Sequence, residues 1–451
     1  MSIEENAFAC CLSSLTLLSL SYQSLTSLSP GLFRGLTNLT TVFLASNSLL
    51  ALRNNTFQGL TNLRDLSLYS NRIEQIDADA FAGLASLPVL KLETNKMERV
   101  PAYVFAHLNS LSYLSLWRNA IEQVEPNAFA RLGPSLHALN LTENRLQCVK
   151  RHYFAQLTAL VNLSLSRNQI SSVEPGSFAD LGRLTLLDLS RNCLFQIEPK
   201  LFRSLSQLRV LNLDFNTLHQ VSVGSFAEIH SLTELYLNDN LLHTLDTMSL
   251  FAGLATSLRR LNLSSNRLGS LDLTLLGLSS ARRLVYLDLS NNKNMRSSVN
   301  SANKTVSLLV STPELETLNL NSTSDELIAK FNFSTLGRLT ELDFSFNTLI
   351  SMPDMSSLSS LARLRMRKVG LYHSALSLLA PVFNSSRRLR EIDLSENDLF
   401  SASNNIDATF AYFYAAKGLT SIALSRSGIQ QQLDSFLNFS FFGNLTSLDL
   451  S

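Results

Sequence analysis

Leucines recur along this chain in the frame L-x-x-L-x-L-x-x-N-x-L, with polar residues at most of the positions between them. Leu63, Leu66, Leu68, Asn71 and Ile73 show it, and so do Leu160, Leu163, Leu165, Asn168 and Ile170. The frame starts at Leu15, Leu39, Leu63, Leu87, Leu111, Leu136, Leu160, Leu184, Leu208, Leu232, Leu258, Leu284, Leu315, Leu339, Leu361, Leu389, Leu419 and Leu445. A fixed period in this range marks a stacked array rather than a globule with one core. The alternation of the L-x-L segment predicts a short strand with leucines inward and the x residues outward. Strands of successive repeats pair in parallel, ~4.8 Å apart. Bulkier return segments on the other side force curvature. The expected fold is an α/β solenoid curved into a horseshoe, with a concave parallel sheet and an irregular or short-helical convex side. The concave surface of such an array is its usual binding face.

Two further columns run through the repeats. An Asn closes the strand motif in most of them, from Asn47 to Asn397, and its amide can satisfy backbone groups where the chain turns away. Gln23, Thr323, Val369 and Ser427 stand in its place in four repeats, which predicts looser turns there. Phe33, Phe57, Phe81, Phe105, Phe129, Phe154, Phe178, Phe202, Phe226, Phe251 and Phe333 mostly precede the next repeat start by six residues. They are expected to fill the wide return layer.

Regularity changes along the chain. The first nine intervals between starts are 24 or 25 residues, and the later ones are 26, 26, 31, 24, 22, 28, 30 and 26. The longest holds the polar run from Asn291 to Asn303, and another long one holds Ser401 to Asp407. Residues 1–14 read as a vestigial N-terminal cap, 15–444 as a solenoid of about 17 repeats, and 445–451 as a truncated further repeat. The cut inside a repeat suggests a piece of a longer protein. Met1 to Cys11 has two Glu and no Lys or Arg, unlike the start of a signal peptide. No stretch reaches the ~18 apolar residues of a membrane span.

Charged residues are 16% of the chain, below the usual quarter or so. Ser, Thr and Asn take their place, which suits an extracellular surface. The net charge of +1 gives no support for a nucleic-acid partner. Cys10 and Cys11 sit where extracellular arrays carry a disulfide-bonded cap. Cys148 and Cys193 lie two repeats apart, roughly 10 Å at strand spacing, beyond the ~7 Å reach of a disulfide. They are expected to be free and mostly buried thiols. The seven His are scattered, with no metal-ligand spacing, phosphate loop or nucleophile elbow. The reading is of a protein that is not an enzyme and needs no cofactor or metal. Asp288 and Ser290 read as ordinary solvent-facing strand residues.

The frame L-x-x-L-x-L-x-x-N-x-L, closed by F-x-x-L-x-x-L, resembles the leucine-rich repeats of animal extracellular proteins. The G-x-I-P of the plant receptor pattern is missing, since Asn71 is followed by Arg-Ile-Glu-Gln-Ile. Within that class the chain is most similar to Toll and Toll-like receptor ectodomains. Regular early repeats, irregular later ones, the short insertions at Gly133-Pro-Ser-Leu136 and Ala255-Thr-Ser-Leu258, and the polar insertion past the middle carry the likeness. The chain departs from that family in showing no complete cap, membrane span or signalling domain. Adhesion and guidance proteins of the chaoptin and Slit kind share the same repeat. The resemblance implies recognition of a protein or microbial ligand, pairing with a like or unlike ectodomain, and signalling across a membrane. It also implies an extracellular or endosomal-lumenal location on a single-pass membrane protein.

Outward strand positions supply candidate contacts. Tyr69, Tyr113 and Trp117, with Arg118 beside them, read as an aromatic cluster on consecutive repeats, of residue types common at interface hot spots. Arg363, Arg365, Arg367 and Lys368 make the densest basic strand, flanked by Glu341, Asp343, Glu391 and Asp393. An acidic partner or salt bridging across strands both fit it, and the flanking acids favour the second. N-glycan acceptor sequons stand at Asn38, Asn54, Asn140, Asn162, Asn262, Asn303, Asn321, Asn332, Asn384, Asn438 and Asn444. Of these, Asn140, Asn162, Asn262 and Asn321 are expected on the concave face, where glycans would push partners toward the lateral edge or the insertions.

Overall fold

A computed structural model describes residues 2–3, 8, 14–243, 250–269, 281–295, 312–324, 328, 331–349, 351–400, 413, 416–428 and 443–451. Cys10, Cys11, Asn303, Asn438, positions 296–303 of the first insertion and all of 401–407 lie outside the described residues. The chain divides into two compact units. The first comprises Met1–Leu218 and Gly224–Leu232, the second His219–Val223 and Thr233–Ser451.

In each unit every repeat start is followed by a three-residue strand, as in Asp65–Ser67, Val89–Lys91 and Tyr113–Ser115 of the first unit. Glu341–Asp343, Arg363–Arg365 and Glu391–Asp393 are examples in the second. Within each unit they pair in parallel, in the register that sets inward residue beside inward residue: Leu66 against Leu90, and Leu90 against Leu114. Leu63, Leu66 and Leu68 are fully buried, so each strand shows the interior one face of its alternation.

The return side explains the spacing of F-x-x-L-x-x-L. Leu60 N donates to Phe57 O (3.2 Å), and Leu63 N to Leu60 O (3.1 Å). Successive i to i+3 turns bring every third side chain to one side, so Phe and both leucines point inward together. Helix is sparse: Ala130–Leu132, Ala252–Leu254, His373–Leu379 and Ala380–Ser385 carry it, and Ile328 and Phe413 are helical as well. Phe rings stack along the first unit, 5.8 to 6.1 Å apart from Phe33 to Phe129 and 6.3 to 6.4 Å from Phe154 to Phe226. That exceeds the ~4.8 Å between strands, so within this unit the sheet is the shorter side.

Short second strands, which the leucine frame does not announce, follow the turn in several repeats. Ala51–Leu52 pairs with Gln75–Ile76, Arg99–Val100 with Gln123–Val124, and Cys148–Val149 with Ser172–Val173. Ser2–Ile3 pairs in the same way with Ser27–Leu28, and Ser29 Oγ donates to Ile3 O (3.1 Å). The segment expected to be a cap remnant therefore carries repeat-like pairing at its start. Cys148 and Cys193 are free, as expected, but not buried. Cys148 is half-buried in a second strand and Cys193 is exposed just past an Asn. Each sits at an x position of the pattern, which points out of the core.

The Asn column ties one turn to the next. Asn192 Nδ2 donates to Leu165 O of the preceding turn (3.0 Å) and to Leu189 O (3.0 Å) and Ser190 O (3.1 Å) of its own. Its Oδ1 accepts from Ile170 N (2.9 Å). Where Thr323 replaces Asn, its hydroxyl keeps the bond to its own turn, Leu320 O (2.8 Å). Val369 offers no side-chain bond, and the buried Ser427 Oγ finds no partner. The residue before the Asn is left-handed in repeat after repeat, at φ between 52° and 58° for Ser46, Ser70, Thr94, Arg118, Glu143, Arg167, Arg191, Phe215 and Phe346. No Gly occupies these positions, although an L-residue there costs ~1–2 kcal/mol.

Extra residues are absorbed on the return side. In the 25-residue repeat Leu136 N reaches back four residues to Leu132 O (2.8 Å), and Leu258 N likewise to Leu254 O (2.9 Å). The wider turn brings Gly133 against its neighbour, where a Cβ would lie 2.2 Å from Gln156 O.

Two stability predictions follow for urea denaturation monitored by circular dichroism. Asn192→Ala leaves buried carbonyls and an amide unpaired and should cost about 2–4 kcal/mol, with Asn192→Thr intermediate. Gly133→Ala should cost roughly 1–3 kcal/mol, whereas Gly182→Ala, with open space at its Cβ, should be near neutral.

Candidate functional site

The outward strand residues form columns across the sheet, and the backbone register fixes who stands beside whom. Ser70 N donates to Glu93 O (2.9 Å) and Thr94 N to Trp117 O (2.9 Å). Tyr69, Glu93 and Trp117 thus hold one column on three successive turns. Tyr69 and Trp117 are not on consecutive repeats, as the sequence reading had them; Glu93 stands between. Tyr113 opens the strand that leads to Trp117. Arg118 turns to the edge in its left-handed conformation and faces Glu143 at 4.0 Å, which in turn meets Arg167 at 3.6 Å. Arg191 continues that edge by stacking on Phe215, 3.9 Å from the ring centre.

The basic strand is largely neutralised. Arg363 pairs with Glu341 on one side and with Glu391 on the other (3.2 Å). Arg367 pairs with Glu396, its Nε at 3.0 Å, and lies over the Phe346 ring. The Glu396 contact pushes the Arg367 guanidinium up and the Glu396 carboxyl below its usual range. Arg365 is exposed and stands in register between Asp343 and Asp393. Lys368 is exposed beside them. Arg363 and Arg367 are thus engaged in cross-strand pairs, while Arg365 and Lys368 stay exposed.

A second network was not visible as such in the sequence. Tyr236 OH donates to Glu234 Oε2 (2.6 Å), and Arg260 lies over the Tyr286 ring, 4.3 Å from its centre. Tyr286 OH donates to Asp288 Oδ2 (3.1 Å), which also accepts from Asn319 Nδ2 (3.1 Å). Ser290 N donates to Asp288 Oδ1 (2.9 Å). Asp288 and Ser290 are buried, not solvent-facing, because the neighbouring rings and amides cover them. Burial, with the Asp288 charge and hydrogen bond, pushes Tyr286 up to about 12. Burial and the Glu234 bond raise Tyr236 as well.

Asp288 exemplifies a local device that also explains some sequons. An Asp or Asn ending a strand accepts from the amide two residues on, as Asp188 does from Ser190 (3.0 Å), Asn140 from Thr142 (2.9 Å) and Asn262 from Ser264 (3.0 Å). Asn140 and Asn262 are half-buried in their strands, Asn162 is exposed in its own, and Asn321 is half-buried beyond a strand. Asn38, Asn54, Asn384 and Asn444 are exposed and Asn332 is half-buried. Away from the sheet, Glu74, Asp77, Glu98, Glu122 and Glu125 line a cleft of about 810 Å³ with Arg99. Among the described residues no cluster of His, Cys, Asp or Glu is arranged to hold a metal ion. No helix among them is long and apolar enough to cross a membrane.

The Tyr286 environment makes a pH prediction. A phenol held protonated in the fold but ionising near pH 10 when unfolded contributes stability below pH ~10 that is lost as pH rises toward 12. Absorbance titration of phenolate should show a late-ionising tyrosine that Tyr286→Phe removes. Because burial also raises Tyr236 and Tyr153, the readout is the loss of one phenolate from the high-pH end, and no loss in that variant would refute the assignment.

Comparison with known proteins addresses the repeat and the fold. The Leucine rich repeat family pattern matches residues 2–49, 37–97, 134–194 and 184–242. No curated protein sequence matches. Among solved structures, a leucine-rich-repeat protein of Leptospira interrogans aligns at TM-score 0.64 and 21% identity, over 94% of this chain and all of that one. Toll of Drosophila, solved with Spatzle, aligns at TM-score 0.63 and 23% identity, over 91% of this chain and 49% of that one. The functional domain of InlJ from Listeria monocytogenes, which includes a cysteine ladder, aligns at TM-score 0.55 and 19% identity, over 85% of this chain and 73% of that one. No enzyme family is among these matches. The matched repeats and the parallel-strand architecture together show that this chain has the fold of a leucine-rich-repeat solenoid.

Proposed function

We propose that this solenoid is the ligand-recognising ectodomain of a Toll-like innate immune receptor. It takes a protein or microbial ligand and pairs with a second ectodomain, which triggers signalling through segments on the far side of a membrane. The observation that carries the reading is the sheet face. There the outward columns hold Tyr69, Tyr113 and Trp117, residue types that dominate interface energetics. The fold likeness to Toll, whose structure was solved with a protein, supports the same class of ligand. Location on the extracellular or endosomal-lumenal side, and N-glycans on the exposed sequons, belong to this proposal.

A second reading is an adhesion, guidance or secreted recognition protein without a signalling partner. The equal fold likeness to a Leptospira repeat protein favours it, since the same architecture serves outside Toll.

Pull-down from the protein's own source, followed by binding titration, separates these. Trp117→Ala and Tyr113→Ala should each weaken the captured partner at least tenfold, in line with hot-spot residues. Unchanged binding in both would move the site off this part of the sheet. Ligand-dependent doubling of mass by light scattering supports the receptor reading, and a ligand complex that stays one-to-one supports the second. Glycopeptide mass spectrometry of secreted protein should show sugar on exposed sequons such as Asn54 and Asn162. Bare peptides throughout would remove the glycoprotein claim.

A further inference from the structure

Arg118, Glu143 and Arg167 pair along the neighbouring edge; the Glu93 carboxylate makes no ion pair. It is half-buried between Tyr69 and Trp117 in the column described above. Its Oε2 is wholly buried with no hydrogen-bond partner. One strand on, Ser115 Oγ is buried and equally unpartnered, and Ser115 itself is 1% exposed. The cations nearby do not serve Glu93: Arg118 turns to Glu143, and Lys91, two residues away, is exposed and makes no ion pair with it. Asp65 stands across from Val89 on the adjoining strand, so its charge and that of Lys91 offset each other around the site. One negative charge is left over, set between two aromatic rings. A carboxylate that has lost part of its water gains most from a cation, and ring faces attract the same charge.

We propose that Glu93, Tyr69 and Trp117 form a docking site for a basic side chain, lysine or arginine, of a protein partner. The cationic head lies against the Trp117 and Tyr69 rings and neutralises the Glu93 carboxylate. The proposal rests on the reading of the sheet face as a recognition surface, and it names the chemistry of the residue recognised there.

Trp117 is the one tryptophan of the chain, so its emission reports on this site alone. The full chain, made without glycans because Asn140 pairs in register with Ser115, is titrated with Nα-acetyl-arginine amide and Nα-acetyl-lysine amide. Nα-acetyl-norleucine amide serves as the neutral control. The cations should change Trp117 emission saturably and norleucine should not. Glu93→Gln should weaken the cations roughly tenfold, the scale of a hydrogen bond between charged groups. Lys91→Ala, which removes a like charge, should tighten them several-fold, and this second variant keeps the test decisive if Glu93→Gln folds poorly. Equal response to norleucine, equal binding by folded Glu93→Gln, or no tightening in Lys91→Ala would overturn the site. If the cations fail while Trp117→Ala still weakens a captured protein partner, the recognition reading stands and only this docking chemistry falls.

Discussion

Each repeat must leave the sheet through an apolar interior, and the exit strips its backbone of strand partners. Unpaired buried amides and carbonyls there would each cost about as much as a lost hydrogen bond. The Asn side chain answers this from both sides. Its amide donates to carbonyls of its own and the preceding turn, and its oxygen accepts from an amide of the preceding turn. Asn192 does so with Leu165, Leu189, Ser190 and Ile170. The left-handed residue just before it follows from the same exit, since the chain must reverse direction within two residues. Bulky side chains such as Phe215 and Phe346 accept that conformation because the Asn bonds hold the turn on either side.

With the exits fixed, variation is pushed to places that the ladder does not control. Extra residues enter on the return side, where an i to i+3 turn can widen to i+4, as at Leu136 and Leu258. The Phe stack tolerates this because ring faces slide more easily than hydrogen bonds stretch. The outward strand positions are freer still. Their backbones are already paired in the sheet, so any residue that stands on a pleated surface will fit. Recognition can therefore diversify there without disturbing the solenoid.

The two units use that freedom differently. In the second, charges and phenols along the sheet satisfy one another: Arg363 between Glu341 and Glu391, Tyr286 with Asp288, Asn319 with Asp288. Much of that surface is compensated within itself, with Arg365 and Lys368 left exposed. In the first, the column through Tyr69, Glu93 and Trp117 leaves a carboxylate and a hydroxyl without partners. A surface with unmet polar groups beside aromatic rings is where a partner gains most.

The sequence by itself determined the solenoid. Leucine spacing encodes the strand, the Asn column encodes the turn, and F-x-x-L-x-x-L encodes the return, because each is a local rule repeated until stacking makes it global. It also supplied the residue types of the candidate surface, from Trp117 to the basic strand at Arg363. Only the tertiary structure decided which of them meet. Glu93 separates Tyr69 from Trp117, Asp288 is covered rather than exposed, Cys193 faces out, and residues without glycine chemistry carry positive φ. Those outcomes depend on neighbours about one repeat away in sequence yet a few ångströms away in space. A period can be read along a chain, but burial and pairing across turns are properties of the stack.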